Sequence, residues 1–374
     1  MKAWPVLAVI LVQTFLCLAH WFIYRTWIDF GWPMSPAATS GLRLAFVLLS
    51  LVFVIATLLS FRFNNQAVRL FYWFGAVWMG LANFLFVGAG IAWLADLVLR
   101  FAVPAATRLA CRPYIALTLL GVSIAAAVYG LANARMIRTR RVTVQLLNLP
   151  EGWRGRQAAL VSDLHLGHIN GAAFTRRIAA IVRAVGPAII FLPGDLFDGS
   201  KVNPLQVIAP LLELKPPLGM YFVGGNHEEF GGAAEFEAVL RKGGIRVLHN
   251  ECAEVEGVRI VGVAYGPSTY PLQMRSFLEG LNLKDGPASI LLNHVPNRLP
   301  LAEHAGVSLQ LSGHTHGGGQ IIPFNFFTRR AFGRFTYGLQ RFGEMQVYTS
   351  SGAGTWGPPM RVGTHSEIVL LTFA

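Results

Sequence analysis

Residues 160–168 read Leu-Val-Ser-Asp-Leu-His-Leu-Gly-His, and the interpretation of the whole chain begins from this stretch. A short apolar run at residues 158–161 leads into Asp163 and His165, a carboxylate and an imidazole two positions apart. In an extended segment, side chains spaced by two residues point to the same side, so both can reach one ion. We interpret this pair as half of a metal site.

Four later segments repeat the pattern of an apolar run that ends abruptly in residues able to bind metal. The runs at residues 188–192, 220–223, 289–292 and 308–311 lead into Gly194-Asp195, Gly225-Asn226-His227-Glu228, Asn293-His294 and Gly313-His314-Thr315-His316. Short continuous apolar runs are typical of strands buried on both faces, and open α/β sheets bind ligands at the carboxyl ends of such strands. We therefore predict that five strand ends converge on one pocket.

The segments between these runs predict the rest of an α/β domain. Apolar residues recur at helical spacing over residues 174–185 and 236–243, and residues 142–147, 245–249 and 259–263 have the composition of strands. Strand, helix and strand in succession predict a parallel sheet.

The amino-terminal part of the chain has the composition of a membrane protein. The 374 residues are 53% hydrophobic and 13% charged, whereas soluble domains have about 25% charged residues. Four apolar runs, at about residues 6–24, 42–61, 70–95 and 113–131, are long enough to cross a bilayer. We predict a transmembrane region at residues 1–134, a basic linker at 135–141 and one catalytic domain at 142–374.

The distribution of charge bears on membrane topology. The first 141 residues contain twelve Lys or Arg and two acidic residues, so nearly all of the net charge of +12 lies in the apolar part. This placement indicates contact with membrane lipids and argues against nucleic acid as a partner. Four spans place the catalytic half on the same side of the membrane as the amino terminus. Seven basic residues lie on that side and five on the other side. Because basic residues are more frequent in cytoplasmic loops, this count favours a cytoplasmic catalytic domain at a bacterial inner membrane. The three cysteines have no Cys-x-x-Cys spacing, and we expect no disulfide framework.

The motif order over residues 142–374 resembles that of the calcineurin-like metallophosphoesterase superfamily. The motifs are Asp-x-His, Gly-Asp-x-x-Asp, Gly-Asn-His-Glu, His and Gly-His-x-His. Residues 162–167, 248–251 and 352–361 are similar to the membrane-associated branch, which includes YkuE-like phosphoesterases and integral-membrane UDP-2,3-diacylglucosamine hydrolases. The resemblance implies an α/β fold, a four-layer α/β/β/α sandwich, here preceded by an all-α four-helix transmembrane region.

The same resemblance implies a site for two divalent metal ions. One ion is assigned to Asp163, His165, Asp195 and His316, and the other to Asp195, Asn226, His294 and His314. His227 is implied as the proton donor, with Asp198 as its orienting partner. Oxygen and imidazole ligands without thiolate suit Mn²⁺, Fe or Zn²⁺, and we expect Mn²⁺.

Residues 321–330, Ile-Ile-Pro-Phe-Asn-Phe-Phe-Thr-Arg-Arg, follow the last metal motif. Phe326 and Phe327 with Arg329 and Arg330 could form a lip that enters the membrane interface and admits a lipid headgroup. The alternative is a buried strand followed by a solvated arginine pair.

These features together predict a membrane-embedded phosphoesterase. Its substrate would be a lipid-linked phosphodiester or pyrophosphate, with UDP-2,3-diacylglucosamine as the first candidate. Two alternatives stay open, a phosphodiesterase for a water-soluble substrate and a non-catalytic membrane sensor or transporter with a metal-binding domain.

Overall fold

A computed structural model describes residues 3–284 and 286–374, with side chains from residue 6 onward except that of residue 230. The chain divides into two compact units. One consists of Met1–Ala132 with Gly357–Met360, and the other of Asn133–Trp356 with Arg361–Ala374.

The first unit is built from long apolar helices. They are α1 (Ala3–Phe30), α2 (Pro36–Arg62), α3 (Gln66–Ala102) and α4 (Ala105–Arg135). All four are long and apolar enough to cross a membrane, so the chain is a membrane protein. Each helix extends beyond the predicted apolar run because a helix ends at its cap rather than at its first polar residue. Ser35 and Asn65 cap α2 and α3 by accepting hydrogen bonds from Ala38 N and Val68 N.

A buried ionic cluster joins α3 to α4. The Asp96 side chain is almost fully buried and accepts two hydrogen bonds of 2.8 Å from the guanidinium of Arg112. Arg108 donates a third hydrogen bond, of 3.0 Å. Arg112 also lies 5.0 Å above the ring of Phe30 on α1, so the cluster connects three helices.

The second unit contains two six-stranded sheets over its described residues. The strands are β1 (Ile137–Val144), β2 (Gln157–Leu160), β3 (Ile189–Pro193), β4 (Met220–Val223), β5 (Arg246–Val247), β6 (Glu251–Val255), β7 (Val258–Val263), β8 (Ser289–Asn293), β9 (Leu309–Ser312), β10 (Gly338–Phe342), β11 (Met345–Thr349) and β12 (Ser366–Phe373). Their order is β1-β12-β2-β3-β4-β5 in the first sheet and β10-β11-β9-β8-β7-β6 in the second.

Helices in the second unit follow most of the central strands. They are α5 (Ala172–Val185), α6 (Pro204–Leu212), α7 (Asn226–Gly231), α8 (Ala233–Lys242), α9 (Tyr265–Thr269), α10 (Pro271–Gly280), α11 (Leu299–His304) and α12 (Phe324–Phe332). Two short 3₁₀ helices lie at Glu151–Trp153 and Gly333–Thr336.

Alternation along the strands produces the layers. Phe191 of β3 faces the second sheet and packs in one core with Leu292 of β8, while its neighbour Ile190 packs in another core with Ile178 of α5. The second sheet has its own outer core, in which Leu291 of β8 lies with Met274 of α10. The predicted four-layer α/β/β/α sandwich is therefore confirmed.

The five apolar runs become the central strands, with ends within one residue of their predicted positions. Strands β2, β3 and β4 run parallel in the first sheet, and β7, β8 and β9 run parallel in the second. Their carboxyl ends therefore lead into loops at one edge of each sheet, where the candidate ligands begin.

The predicted basic linker at residues 135–141 is wrong. Strand β1 already begins at Ile137 and pairs in parallel with β12 from Ile137 opposite Ser366 to Val144 opposite Phe373. The arginines suggested a solvated linker, but an edge strand can pair its backbone on one side and leave charged side chains in water. Residues 138–141 are exposed in this way, and the first strand starts five residues before the predicted run at 142–147.

Candidate metal centre

Loops from both sheets bring all seven predicted metal ligands into one cluster. Asp163 and His165 follow β2, Asp195 follows β3 and Asn226 begins α7 after β4. His294 follows β8, and His314 and His316 follow β9. The described residues form three groups, and within each group the candidate ligand atoms lie within 4.8 Å of one another. The groups are Asp163 with His165 and His316, Asp195 with His294 and His314, and His165 with Asp195 and His227.

The first group surrounds a point between two imidazoles. Nε2 of His165 and Nε2 of His316 lie 3.1 Å apart. Asp163 Oδ1 is 3.9 Å from His316 Nε2, and Asp195 Oδ2 is 3.8 Å from His165 Nε2. Two lone-pair-bearing nitrogens and two carboxylates that face each other in this way form an arrangement suited to a cation.

The second group contains Asp195, which also lies beside His165 of the first group. Asp195 Oδ2 lies 3.1 Å from His294 Nε2. His314 Nδ1 and Asn226 Oδ1 are also 3.1 Å apart, and the His294 and His314 ring centroids are separated by 5.1 Å. Among the described residues, Asp195 is thus the carboxylate that lies beside imidazoles of both groups.

The donor set fits divalent metals. Asp163 Oδ2 is fully buried and has no hydrogen-bond partner among the described residues. A buried carboxylate oxygen without a partner is costly, and a cation would satisfy it. Carboxylate, amide and imidazole donors without thiolate suit Mn²⁺, Fe or Zn²⁺.

Burial keeps most of the imidazoles of the cluster neutral. It lowers the pKa of His165 and His316 far below the ordinary value, and it lowers the pKa of His314 to about 4. Their ring nitrogens are therefore available as ligands at neutral pH, since a metal-binding imidazole must be unprotonated.

His294 and Asp195 behave as an ion pair. Burial alone would lower the pKa of His294, but its attraction to Asp195 raises that pKa to about 10. Burial opposes ionisation of Asp195 too, yet His294 and the other nearby histidines hold the pKa of this carboxyl below its usual range. Burial raises the pKa of the Asp163 carboxyl to about 6.

Five of the ligands have a left-handed backbone, which L-residues other than asparagine and aspartate rarely adopt. The φ angles are 52° at Asp163, 46° at His165, 52° at Asp195, 69° at His314 and 48° at His316. Such conformations cost about 1–3 kcal/mol each and cluster at functional sites. The expectation that Asp163 and His165 act from an extended segment is therefore wrong, although their side chains do meet. A tight loop after β2, rather than strand alternation, brings them together.

Glu228 organises two of the ligand loops, a role that the sequence reasoning missed. Its fully buried carboxylate accepts hydrogen bonds from Asp195 N at 3.0 Å, Phe197 N at 2.9 Å and Gly225 N at 2.7 Å. Burial, with repulsion from Asp195, raises the pKa of this carboxyl to about 7. A signal was present in the sequence, because a glutamate three residues after the N-cap of a helix, here Gly225, commonly accepts backbone N–H bonds there.

His227 contacts Asp198 through the main chain. Its Nδ1 lies 3.0 Å from the carbonyl oxygen of Asp198, while the Asp198 carboxylate accepts hydrogen bonds from Ser200 N at 2.8 Å and Ser200 Oγ at 2.5 Å. The ring of Trp356 lies 5.2 Å from the His227 ring. A carbonyl can only accept, so His227 carries a proton on Nδ1 and directs Nε2 elsewhere.

The aromatic segment after the last motif is an exposed helix, so the alternative of a buried strand is wrong. In α12, Phe326 and Phe327 are 67% and 63% exposed, and Arg329 and Arg330 are exposed too. The ring of Phe332, at the end of α12, lies 6.0 Å from the ring of His314. The helix therefore begins at an exposed aromatic surface and ends beside the second ligand group.

Known proteins are similar to this chain. The family model described as calcineurin-like phosphoesterase matches residues 157–318. A protein from Aquifex aeolicus named an uncharacterized metallophosphoesterase is 30% identical over 250 residues, which are 65% of this chain and 94% of that protein. This chain belongs to the calcineurin-like phosphoesterase family.

Other relatives of this calcineurin-like phosphoesterase also carry metallophosphoesterase names. A transmembrane protein with metallophosphoesterase domain from Danio rerio is 36% identical over 261 residues, 65% of this chain and 59% of that protein. The uncharacterized metallophosphoesterase YkuE from Bacillus subtilis is 28% identical over 65% of this chain and 89% of its own. The matches to the first relatives, from Danio rerio and Campylobacter jejuni, span about three fifths of those proteins, 59% and 63%.

Proposed function

We propose that this protein is a membrane-embedded, dinuclear-metal phosphoesterase that hydrolyses a lipid-linked phosphodiester or pyrophosphate. The observation that carries the lipid part of the proposal is α12, whose exposed phenylalanines belong to the same helix that reaches the His314 side of the ligand cluster. UDP-2,3-diacylglucosamine is the first substrate to test.

The two ligand groups support the chemistry. Asp163, His165 and His316 would hold one ion, His294, His314 and Asn226 the other, and Asp195 would touch both. Two bound divalent ions neutralise phosphoryl oxygens and lower the pKa of a water molecule. Mn²⁺ is the proposed metal, with Fe or Zn²⁺ as alternatives.

His227 is the proposed proton donor to the leaving oxygen. The Asp198 carbonyl fixes the ring through Nδ1, so Nε2 is the nitrogen that can donate. A positioned general acid contributes about 10²- to 10⁴-fold to a rate. Asp198 would contribute as the residue that fixes this ring, through its carbonyl oxygen.

The surface of α12 supports a substrate with an apolar part. Phe326 and Phe327 expose adjacent rings, and Arg329 and Arg330 follow within one helical turn. Burying one phenylalanine in an acyl layer yields about 1.5–3 kcal/mol, and arginine can bind a phosphate with two parallel hydrogen bonds. Aromatic and cationic groups arranged in this way suit an anionic lipid headgroup at the interface.

We also propose a bacterial inner-membrane location with the phosphoesterase domain in the cytoplasm. The excess of basic residues on that side supports this orientation. A reporter that folds and is active only in the cytoplasm should be active when it is fused after Ala374. Activity confined to the opposite side would refute the orientation.

The substrate test compares two molecules that share one pyrophosphate. Detergent-solubilised protein with Mn²⁺ would be assayed on UDP-2,3-diacylglucosamine, on UDP-N-acetylglucosamine, which lacks the long acyl chains, and on bis-p-nitrophenyl phosphate. We expect kcat/KM to be highest for the acylated substrate. The double variant F326D/F327D should lower kcat/KM for the lipid about 10-fold more than for the chromogenic diester.

A matched control and two contrary outcomes make this test decisive. Leu147 is 70% exposed and lies outside the ligand-bearing loops, so L147D adds one of the same carboxylates away from the site. Equal loss on all substrates in F326D/F327D would contradict a lipid-binding helix. Turnover of the soluble diester without turnover of lipids would replace the proposal with a phosphodiesterase for water-soluble substrates.

A further inference from the structure

Arg361 is a fully buried arginine in the loop between β11 and β12. Nη2 donates to the carbonyl oxygens of Ser351 and Gly354, both at 2.7 Å, and of Gly352 at 3.1 Å. Nη1 donates to the carbonyl of His365 at 3.0 Å. In the described residues its hydrogen-bond acceptors are carbonyl oxygens, with no carboxylate. Moving a charged guanidinium from water into the protein interior is costly, so the carbonyl groups that replace its water must stay in one arrangement.

The carbonyls that Arg361 collects belong to the loop that covers Asp163. Ala353 N donates to Ser162 O at 3.1 Å, and Gly354 N donates to Asp163 O at 2.8 Å. A Cβ added to Gly352 would lie 2.6 Å from Asp163 Cβ, so the loop and the ligand are in close contact. Arg361 therefore binds the same loop that packs against Asp163.

The guanidinium also reaches a second ligand directly. Arg361 Nη2 lies 3.2 Å from His316 Nδ1. A neutral imidazole has one lone-pair nitrogen, so a His316 ring that binds a cation through Nε2, which faces His165 and Asp163, carries its proton on Nδ1 and does not accept a hydrogen bond there. Arg361 also reaches the main chain of His316, where Nη1 donates to the carbonyl oxygen at 3.5 Å.

We propose that Arg361 is a positioning residue of the first metal group, which holds the main chain of His316 and the loop over Asp163 in place. The inference rests on the proposed dinuclear function. It assigns Arg361 to one of the two groups, because its described contacts involve His316 and the Asp163 loop and none of the contacts reaches His294, His314 or Asn226. Changes at Arg361 should therefore weaken one metal equivalent and spare the other.

The test measures Mn²⁺ binding to full-length protein in detergent. Substitution of residues that orient metal ligands typically weakens metal binding 10- to 100-fold. In R361M we expect this loss for one equivalent and a change below about twofold for the other. In electron paramagnetic resonance, R361M should lose the signal of a magnetically coupled Mn²⁺ pair and show the spectrum of a single Mn²⁺ ion instead. H316A and H294A identify the two groups, and R361M should match H316A.

Two further variants separate positioning from general stability. R361K keeps the charge without the planar fork, and it should weaken the same equivalent less than R361M does. Arg259 also donates to two carbonyls, those of Leu281 and Asn282, and its hydrogen bonds to the described residues involve no ligand loop, so R259M should leave both equivalents unchanged. The unfolding temperature of the metal-free variants shows any stability effect independently of metal binding.

The outcomes decide between the possibilities. Loss of one equivalent in R361M, with R259M unchanged, supports the proposal. Equal weakening of both equivalents, or wild-type affinities for both, would overturn it. If R361M does not fold, R361K is judged by the same criteria. Fewer than two Mn²⁺ equivalents on the unmodified protein would overturn the proposed function itself and with it this inference.

Discussion

Replacing Gly225 by alanine should displace the carboxylate that both metal groups share. A Cβ on Gly225 would lie 2.2 Å from Asp195 Oδ1 and 2.8 Å from Asp195 N. Carbon and oxygen atoms without a bond approach to roughly 3.4 Å, so one of the two loops must move by about 1 Å. The backbone of Gly225, at φ −101° and ψ −171°, is open to alanine, and the effect is therefore steric rather than conformational.

The magnitude follows from this displacement. A misplacement of about 1 Å at a reacting centre can reduce a rate about 10²-fold, which corresponds to about 2.7 kcal/mol. Overpacking a rigid interior costs a further 1–3 kcal/mol of folding stability, approximately. We expect G225A to fold with a lowered unfolding temperature and to lose about 100-fold in kcat/KM on bis-p-nitrophenyl phosphate.

The neighbouring glycine offers a matched control. A Cβ on Gly224 would meet Glu228 Cβ at 3.9 Å, an ordinary contact, and its φ is not in the left-handed region. G224A should therefore keep kcat/KM within about twofold of the unmodified enzyme. Mn²⁺ content and kcat/KM would be measured for both variants at saturating metal. Wild-type activity in G225A, or equal losses in G224A and G225A, would refute the reasoning.

Three further changes have separate expected outcomes. H227N should lower kcat about 10²- to 10⁴-fold with Mn²⁺ content unchanged. D198N keeps the carbonyl that His227 contacts, so its kcat should fall less than about 10-fold. Equal losses of kcat in the two variants would contradict orientation through the main chain. Removal of metal by a chelator should abolish turnover and lower the unfolding temperature, and added Mn²⁺ should restore both. The stability effect is large because a ligand at 1,000 times its Kd adds about 4 kcal/mol. Full activity in a metal-free sample would be contrary evidence. D96N should destabilise the detergent-solubilised protein by about 3 kcal/mol, because it leaves partly buried arginines without their carboxylate. Removal of the exposed Arg25–Asp29 pair by R25Q should cost less than about 1 kcal/mol. A similar shift in unfolding temperature for both variants would argue against a buried cluster.

The central strands could be predicted because their sequence pattern is simple. Met220–Val223 is apolar throughout and bounded by glycine, and the strand has these ends. The edge strand β1 could be identified only in part. In β1 a run of arginines hides an eight-residue pairing with β12, because an edge strand buries little side-chain area and leaves no apolar signal.

The candidate site was predicted as a set of residues but not as a geometry. The carboxyl ends of parallel strands meet at one sheet edge, so side chains after β3 and β8 had to come near each other. Local preferences gave no hint of the left-handed backbone at His165 or His316, since these conformations are unfavourable and arise only where tertiary packing imposes them. Arg361, 45 residues after His316, carries no local signal that it touches that ring.

The two buried charged groups next to the ligands explain how such a strained arrangement can persist. Five left-handed ligands would cost about 5–15 kcal/mol in total, which is comparable to the stability of an entire domain. Glu228 collects backbone N–H groups from the loops after β3 and β4, and Arg361 collects carbonyl groups from the loop after β11. Irregular loops leave both kinds of backbone group unpaired, and each buried charge satisfies one kind. Because either charge without its backbone partners would be still more costly, the strained loops and the buried charges stabilise each other.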